Sequence, residues 1–257
     1  MGLKNNLKER LKRGEKVLGT WNGIPSATVV NAIGLSGVDF VVIDCEHGPY
    51  TMETAENSIR AAEVAGCSPV IRVSANEERL ILRALDIGAH GIQIPHISSK
   101  EEAMAAVRGA KYHPLGGRGL SPFTRAGRYG LNAKGHVQES NDQTLVVVHV
   151  EGTQGIKNLK DIAGVDGVDV VFIGPYDLSQ SLGKPGEVED PQVIDAIRSS
   201  VKIAQSKGLA CGAYARDEKY LDLLIDCGVQ YITYLVDAAV IAQTYKKIYE
   251  GFRSKIK

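Results

Sequence analysis

The chain has no excess of either charge. Thirty Lys plus Arg stand against thirty Asp plus Glu, so the formal net charge is zero. A nucleic-acid-binding surface announces itself as a basic excess and a membrane-surface anchor as a polybasic cluster. With neither present, no nucleic-acid or membrane partner is expected. No stretch of about 18 consecutive apolar residues, the length that reads as a membrane-spanning helix, occurs. The opening MGLKNNLKERLKRGEK is charged and has no apolar core, so it is not expected to act as a secretion signal. It begins Met1-Gly2, but Asn6 stands where the myristoylation pattern wants Ser or Thr. Cysteine is scarce: Cys45, Cys67, Cys211 and Cys227 are scattered with no C-x-x-C pair. That spacing builds no disulfide framework and fits reduced thiols packed as small apolar groups in a cytoplasmic protein.

What the sequence does have is alternation. Runs rich in Val and Ile recur at 16–21, 39–44, 68–73, 91–95, 145–151, 169–174, 209–214 and 231–236. Most are continuously apolar, as parallel strands buried on both faces are. Amphipathic helical stretches lie between them. Residues 51–66 put Ile59, Ala62 and Ala65 on one face before Gly66. Residues 76–88 read as a helix capped by Asn76 and ended by Gly88, and 190–208 as one with Pro191 in its first turn and Gly208 at its end. Gly37, Gly66, Gly88, Gly208 and Gly228 each stand just before a strand, where a helix stop belongs. No G-x-G-x-x-G follows the first strand, which argues against an open dinucleotide-binding sheet. At 257 residues and with no break in composition, the expectation is one α/β domain over 1–257, a (β/α)8 TIM barrel. The longest irregular stretch, 112–131, is rich in Gly and Arg and is expected to be functional.

Barrel enzymes draw their catalytic side chains from the C-terminal ends of the strands. Those ends carry Asp44-Cys45-Glu46-His47-Gly48, Arg72, Pro95-His96, His149-Val150-Glu151 and Gly174-Pro175-Tyr176-Asp177. Glu151 and Asp177 end neighbouring strands, and two carboxylates with open positions suit Mg²⁺ or Mn²⁺. Each is equally readable as an acid placed at a helix N-terminus. Arg72, at the end of an apolar strand, must be paired or must bind an anion. It either contacts a substrate carboxylate or enolate, or forms a structural pair with Asp44 or Asp86. His47, in a turn with Asp44 and Asp86 on neighbouring units, is a candidate general base or a surface histidine. His90, His113 and His136 are given no role, and His96 is left unassigned.

In order along the chain, Leu-Gly-Thr-Trp21, Asp44-Cys-Glu-His47-Gly-Pro, Val-Ile-Arg72, Ala-Leu-Asp86-Ile-Gly, Gly-Gly-Arg118-Gly, Val-Glu151-Gly and Phe-Ile-Gly174-Pro-Tyr-Asp177 resemble the HpcH/HpaI aldolase family, over about 14–252. The resemblance implies a barrel of the phosphoenolpyruvate/pyruvate type with a domain-swapped C-terminal helix and a hexamer built from dimers. It also implies metal-dependent class II aldol chemistry: cleavage or formation of the C3–C4 bond of a 4-hydroxy-2-keto acid, with pyruvate and an aldehyde as partners. Glu151 and Asp177 would hold Mg²⁺ or Mn²⁺, with Co²⁺ or Zn²⁺ as further options. His47 would be the base, with Asp44 beside it and Asp86 raising its basicity, and Arg72 would stabilise enolate charge. Trp21, Arg72, His149, Gly174 and the backbone N–H groups of Tyr176 and Asp177 would bind substrate. His149 stands where the family often has Gln, and Tyr176 where it often has Ala. A Schiff-base aldolase would want a lysine at a strand end, and none is there. The alternatives are a CoA-ester lyase of the citrate-lyase β type and a non-catalytic keto-acid-binding barrel.

Overall fold

The computed structural model describes residues 6–256. The Met1-Gly2 start and the outermost residues of the 1–257 span lie outside that range. Eight strands form a closed barrel in sequence order: β1 (Val17–Asn22), β2 (Phe40–Asp44), β3 (Ser68–Arg72), β4 (Gly91–Ile94), β5 (Leu145–Val150), β6 (Val170–Ile173), β7 (Ala210–Ala215) and β8 (Tyr231–Val236). All neighbouring pairs are parallel, and β8 closes on β1 with Val17 opposite Tyr231. The helices are α1 (Asn6–Lys12), α2 (Ala27–Leu35), α3 (Met52–Val64), α4 (Glu78–Asp86), α5 (Lys100–Ala110), α6 (His136–Gln143), α7 (Thr153–Lys157), α8 (Leu159–Ile162), α9 (Pro175–Ser181), α10 (Pro191–Ser206), α11 (Glu218–Asp226) and α12 (Asp237–Lys255).

The apolar strand runs separate by period two into two layers. Trp21, Phe40, Val42, Val70, Leu145, Val147, Val170, Phe172 and Tyr231 fill the barrel interior. Ile43, Ile71, Ile92, Val146, Val148, Val171 and Ala213 belong to the layer between strands and helices. This is why the strands read as unbroken apolar runs: both faces are buried. Large interior rings fit because small residues face them. A Cβ added to Gly19 would lie 2.5 Å from the Phe40 ring, and one added to Gly212 would lie 2.7 Å from Phe172. Leu7 and Leu11 of α1 join the interior cluster, so this helix, unread in the sequence because of its charges, plugs the N-terminal end of the barrel.

The helix boundaries follow the expected chemistry with one correction. Thr51 caps α3 in a capping box, Asp190 caps α10 ahead of Pro191, and the five stop glycines all have positive φ. Residue 76 does not cap α4, however. Glu77 occupies the cap position without a side-chain bond, and Asn76 Nδ2 donates to the Glu102 carbonyl of α5 at 2.9 Å. The Gly/Arg-rich stretch sits at the N-terminal end of the strands. Arg125 pairs with Glu63 near the end of α3, and Ala126 N–H donates to the Asp86 carbonyl at the end of α4.

Candidate active site

The C-terminal ends of the strands surround a pocket of about 420 Å³ lined by residues that include Trp21, Asp44, His47, Arg72, His149, Glu151, Gly174, Tyr176 and Asp177. Arg72 ends β3 in register with Asp44 of β2. Its Nε and Nη2 donate to the two Asp44 carboxylate oxygens at 2.9 and 2.6 Å, and its Nη1 stands 2.9 Å from Glu46 Oε2. The guanidinium lies over the Trp21 ring, 4.2 Å from its centroid. Trp21 in turn is held by its indole N–H donating to Thr233 Oγ1 at 2.8 Å. Arg72 is thus pinned on three sides and keeps N–H bonds on both terminal nitrogens for the pocket. Burial alone would raise the Asp44 pKa. The Arg72 fork and the N–H groups of Glu46 and His47 outweigh it and hold the carboxylate below its ordinary value. Those two N–H groups donate to Asp44 Oδ1 at 3.1 and 3.3 Å, which fixes the turn that carries His47. The His47 ring itself is exposed and takes no hydrogen bond or ion pair among the described residues.

Glu151 follows β5 and is 7% exposed. A Cβ added to Gly174 would lie 2.8 Å from Glu151 Oε2, so only glycine leaves room for this carboxylate. His96 clamps the other oxygen: its backbone N–H donates to Glu151 Oε1 at 2.9 Å and its Nδ1 stands 3.2 Å from the same atom. His96 Nε2 is 3.3 Å from Glu46 Oε1, so one exposed imidazole bridges Glu46 and Glu151. It does so from the left-handed backbone region, φ 56°, where a non-glycine residue is strained. Burial pushes the Glu151 pKa up, and the backbone N–H of His96 donating to Oε1 counters it. Asp177 lies in the first turn of α9, exposed and without a partner among the described residues. Beside it, the Tyr176 ring meets Tyr214 edge-on, centroids 5.9 Å apart, and forms one wall of the mouth.

Asp86 is the one site expectation that the single chain does not assemble. It ends α4, and a helix that follows β3 returns to the N-terminal end of the barrel, away from His47. There Asp86 accepts from Arg118 Nη2 at 2.6 Å. Conversely, Glu46 and His96 stood at strand ends in the sequence without an assigned role, and nothing in the sequence singled out Gln93 and Tyr231.

Among the described residues, no three His, Cys, Asp or Glu side chains are gathered into a ready-made metal cage. Two carboxylates are nonetheless enough for a magnesium-type ion, which keeps waters and substrate oxygens in its remaining positions. The Gly174 cradle keeps the Glu151 carboxylate at the pocket wall, and Asp177 stands free in the first turn of α9 just after β6, a donor set that fits such an ion.

A closed parallel barrel whose charged residues converge at the C-terminal rim defines the chain as a barrel enzyme. The profile of the HpcH/HpaI aldolase/citrate lyase family matches residues 18–243. The chain belongs to that family. It is 34% identical to the pyruvate aldolase of Rhizobium etli, over 93% of this chain and 94% of that one. The crystal structure of a family protein from Burkholderia cenocepacia J2315 superposes with a TM-score of 0.92 at 32% identity, covering 97% of this chain and 99% of the other. The structure of the citrate synthase SbnG gives a TM-score of 0.87 at 34% identity, over 97% of this chain and 98% of that one.

Proposed function

We propose that the chain is a metal-dependent class II aldolase that cleaves or forms the C3–C4 bond of a 4-hydroxy-2-keto acid, with pyruvate and an aldehyde as the other partners. One observation carries the reading: in a chain of this family, Arg72, His47, Glu151 and Asp177 line one pocket at the C-terminal rim. Glu151 and Asp177 would hold the divalent ion, Mg²⁺ or Mn²⁺. When bound, such an ion supplies Lewis acidity to the 2-keto oxygen.

The chain's own residues do the rest. The free Arg72 N–H bonds face the oxygen on which negative charge develops as the C3–C4 bond breaks, and the Asp44–Glu46–Trp21 frame holds them there before reaction. His47, unpartnered at the rim, takes the proton from the 4-hydroxyl. The N–H groups of Tyr176 and Asp177, in the first turn of α9 and so without helical acceptors, hold the keto acid's carboxylate. Trp21 forms the floor, and Tyr176 and Tyr214 border the aldehyde half. Asp86 is assigned to Arg118 rather than to His47.

A carbon–carbon bond-forming synthase is a second reading, favoured by the likeness to the citrate synthase SbnG. Both readings need an enolate; turnover separates them. A generic 4-hydroxy-2-keto acid should release pyruvate, chelation should abolish the release, and Mg²⁺, Mn²⁺ or Co²⁺ should restore it. Full activity after chelation, with pyruvate trapped on a lysine by borohydride, contradicts the class II reading.

We also propose that the chain acts as one barrel domain in a cytoplasmic homo-oligomer, a hexamer built from dimers. Residues 241–256 of the C-terminal helix and its end are exposed, among them Ile241, Tyr245, Ile248 and Phe252 on one stripe. An apolar stripe at that spacing is stable when a second copy covers it. Ile248→Asp with Phe252→Asp should lower the solution mass measured by light scattering, and an unchanged mass contradicts the assembly. No helix among the described residues is long and apolar enough to cross a membrane.

A further inference from the structure

The pocket wall contains a buried nitrogen with nothing to bond. His149 is 1% exposed, and its Nδ1 has no hydrogen-bond partner. Buried polar atoms are almost always satisfied, so an orphan of this kind calls for an explanation. The other ring nitrogen is spoken for. Gln93 Nε2 donates to the Tyr231 hydroxyl at 2.8 Å, which turns Gln93 Oε1 toward His149 Nε2, 2.6 Å away. Since Gln93 presents its oxygen, Nε2 carries the hydrogen and donates, and in the neutral ring Nδ1 carries the lone pair. Phe172 stacks on the imidazole at 4.5 Å and Trp21 meets it edge-on at 6.0 Å, so the ring plane is fixed as well. The result is a bare nitrogen acceptor 3.8 Å from Glu151 Oε2, two electron-rich atoms facing each other across a gap at the pocket wall.

We propose that His149 Nδ1 is a third protein ligand of the divalent ion held by Glu151 and Asp177, and that it sets the metal preference. The inference rests on the metal reading above. Neighbouring donors on an octahedral ion stand roughly 3 Å apart, so His149 and Glu151 close on a common ion with a movement of less than about 1 Å. The exposed Asp177 carboxylate completes the set by turning inward, which is why no three-residue cage is preformed. A metal-binding histidine typically donates its second N–H to an oxygen that fixes its tautomer, and Gln93, locked by Tyr231, plays that part here. Carboxylates alone suit Mg²⁺, whereas one imidazole moves the set toward Mn²⁺, Fe²⁺, Co²⁺ or Zn²⁺. His149 is therefore a specificity-determining residue for the ion.

The test is electron spin-echo spectroscopy of the Mn²⁺-loaded protein, joined to metal titrations of the apoprotein. Wild type should show the ¹⁴N coupling of a directly bound imidazole, lost in His149→Gln and kept in His96→Gln. His149→Gln should weaken Zn²⁺ or Co²⁺ at least about 10-fold and leave Mg²⁺ nearly unchanged. Should His149→Gln not fold, histidine-specific ¹⁵N labelling of wild type and of His96→Gln reads the same coupling. Mn²⁺ binding that needs Glu151 but shows no bound nitrogen overturns this inference alone. It means that His149 is a protonated partner of Glu151 or a contact for substrate. A coupling that disappears in His96→Gln and persists in His149→Gln overturns it too. Mn²⁺ binding indifferent to both Glu151→Gln and Asp177→Asn overturns the metal reading and this inference together.

Discussion

The two ends of the barrel carry the same kinds of side chain and use them differently. At the N-terminal end most charges are paired off, although Arg118 Nε makes no hydrogen bond and Lys111 Nζ meets only carbonyls. Arg10 meets Asp39, Lys8 meets Asp169 at 3.0 Å, Arg118 meets Asp86 at 2.6 Å and Arg125 meets Glu63. At the C-terminal end, pairing stops short. Arg72 is pinned yet keeps free N–H bonds, His47 and Asp177 have no partner among the described residues, and His149 Nδ1 makes no hydrogen bond. Unpaired polar groups cost stability, and a fold retains them where they do chemistry. Substitutions at the rim should therefore move rate more than stability, and substitutions at the base the reverse.

The largest effect is expected at the proposed ion's carboxylates. Glu151→Gln and Asp177→Asn should each lower kcat by about 10³-fold or more, the several kcal/mol a Lewis acid supplies, with little change in Tm. Retained activity in either would break the contrast at its strongest point. Next come Arg72 and Gly174. Arg72→Ala should cost about 10²-fold in kcat, with little rescue by Arg72→Lys, because one ammonium cannot replace the fork. An effect on KM alone would make Arg72 a plain binding residue. Gly174→Ala keeps an ordinary φ of −82° but drives a methyl into the Glu151 carboxylate. A comparable loss, about 10²-fold from a displaced catalytic group, should therefore come with an unchanged Tm.

At the base, Asp169→Asn leaves the buried Lys8 ammonium without its counter-charge. It should lower stability by about 3 kcal/mol in a denaturant titration and leave kcat of the folded protein unchanged. A matching loss of kcat would mean that the two ends are coupled. The smallest effect concerns Lys111. Its Nζ donates to the Asn141 and Thr144 carbonyls, and burial, helped by the neighbouring Lys8 charge, lowers its pKa to about 7. In the unfolded chain it titrates near its ordinary value of 10.5. Between about 7 and 10.5 the unfolded chain thus binds more protons than the folded one, and stability rises with pH. Lys111→Met should flatten that rise in Tm; a slope that survives the substitution would assign it to another group.

The barrel was legible because burial on both faces writes a continuous apolar run and each helix stop writes a glycine. Every expected strand lies within a residue or two of the observed one. The rim was legible as strand ends, which is how Arg72, Glu151 and Asp177 could be named beforehand. What escaped was whatever depends on the third dimension. Asp86 read as a neighbour of His47 because the units are adjacent in sequence, but the helix carries it to the opposite end. The Gly/Arg-rich stretch at 112–131 follows a helix rather than a strand, so it too lies at the base. Nothing in the spacing of Gln93, His149 and Tyr231 foretells their hydrogen-bonded chain, because three different strands bring them together through the barrel interior.

The central claim, that the open rim makes the enolate of pyruvate with a divalent ion, is tested most directly without knowing the aldehyde. Pyruvate is incubated with the protein in D₂O and its methyl signal followed by NMR. With the diamagnetic Mg²⁺ the signal should disappear as C3 protons exchange. Exchange should stop on chelation and in Glu151→Gln, and should continue in Asp169→Asn. Exchange that persists in the chelated protein or in Glu151→Gln, or no exchange at all in metal-loaded wild type, would contradict the account.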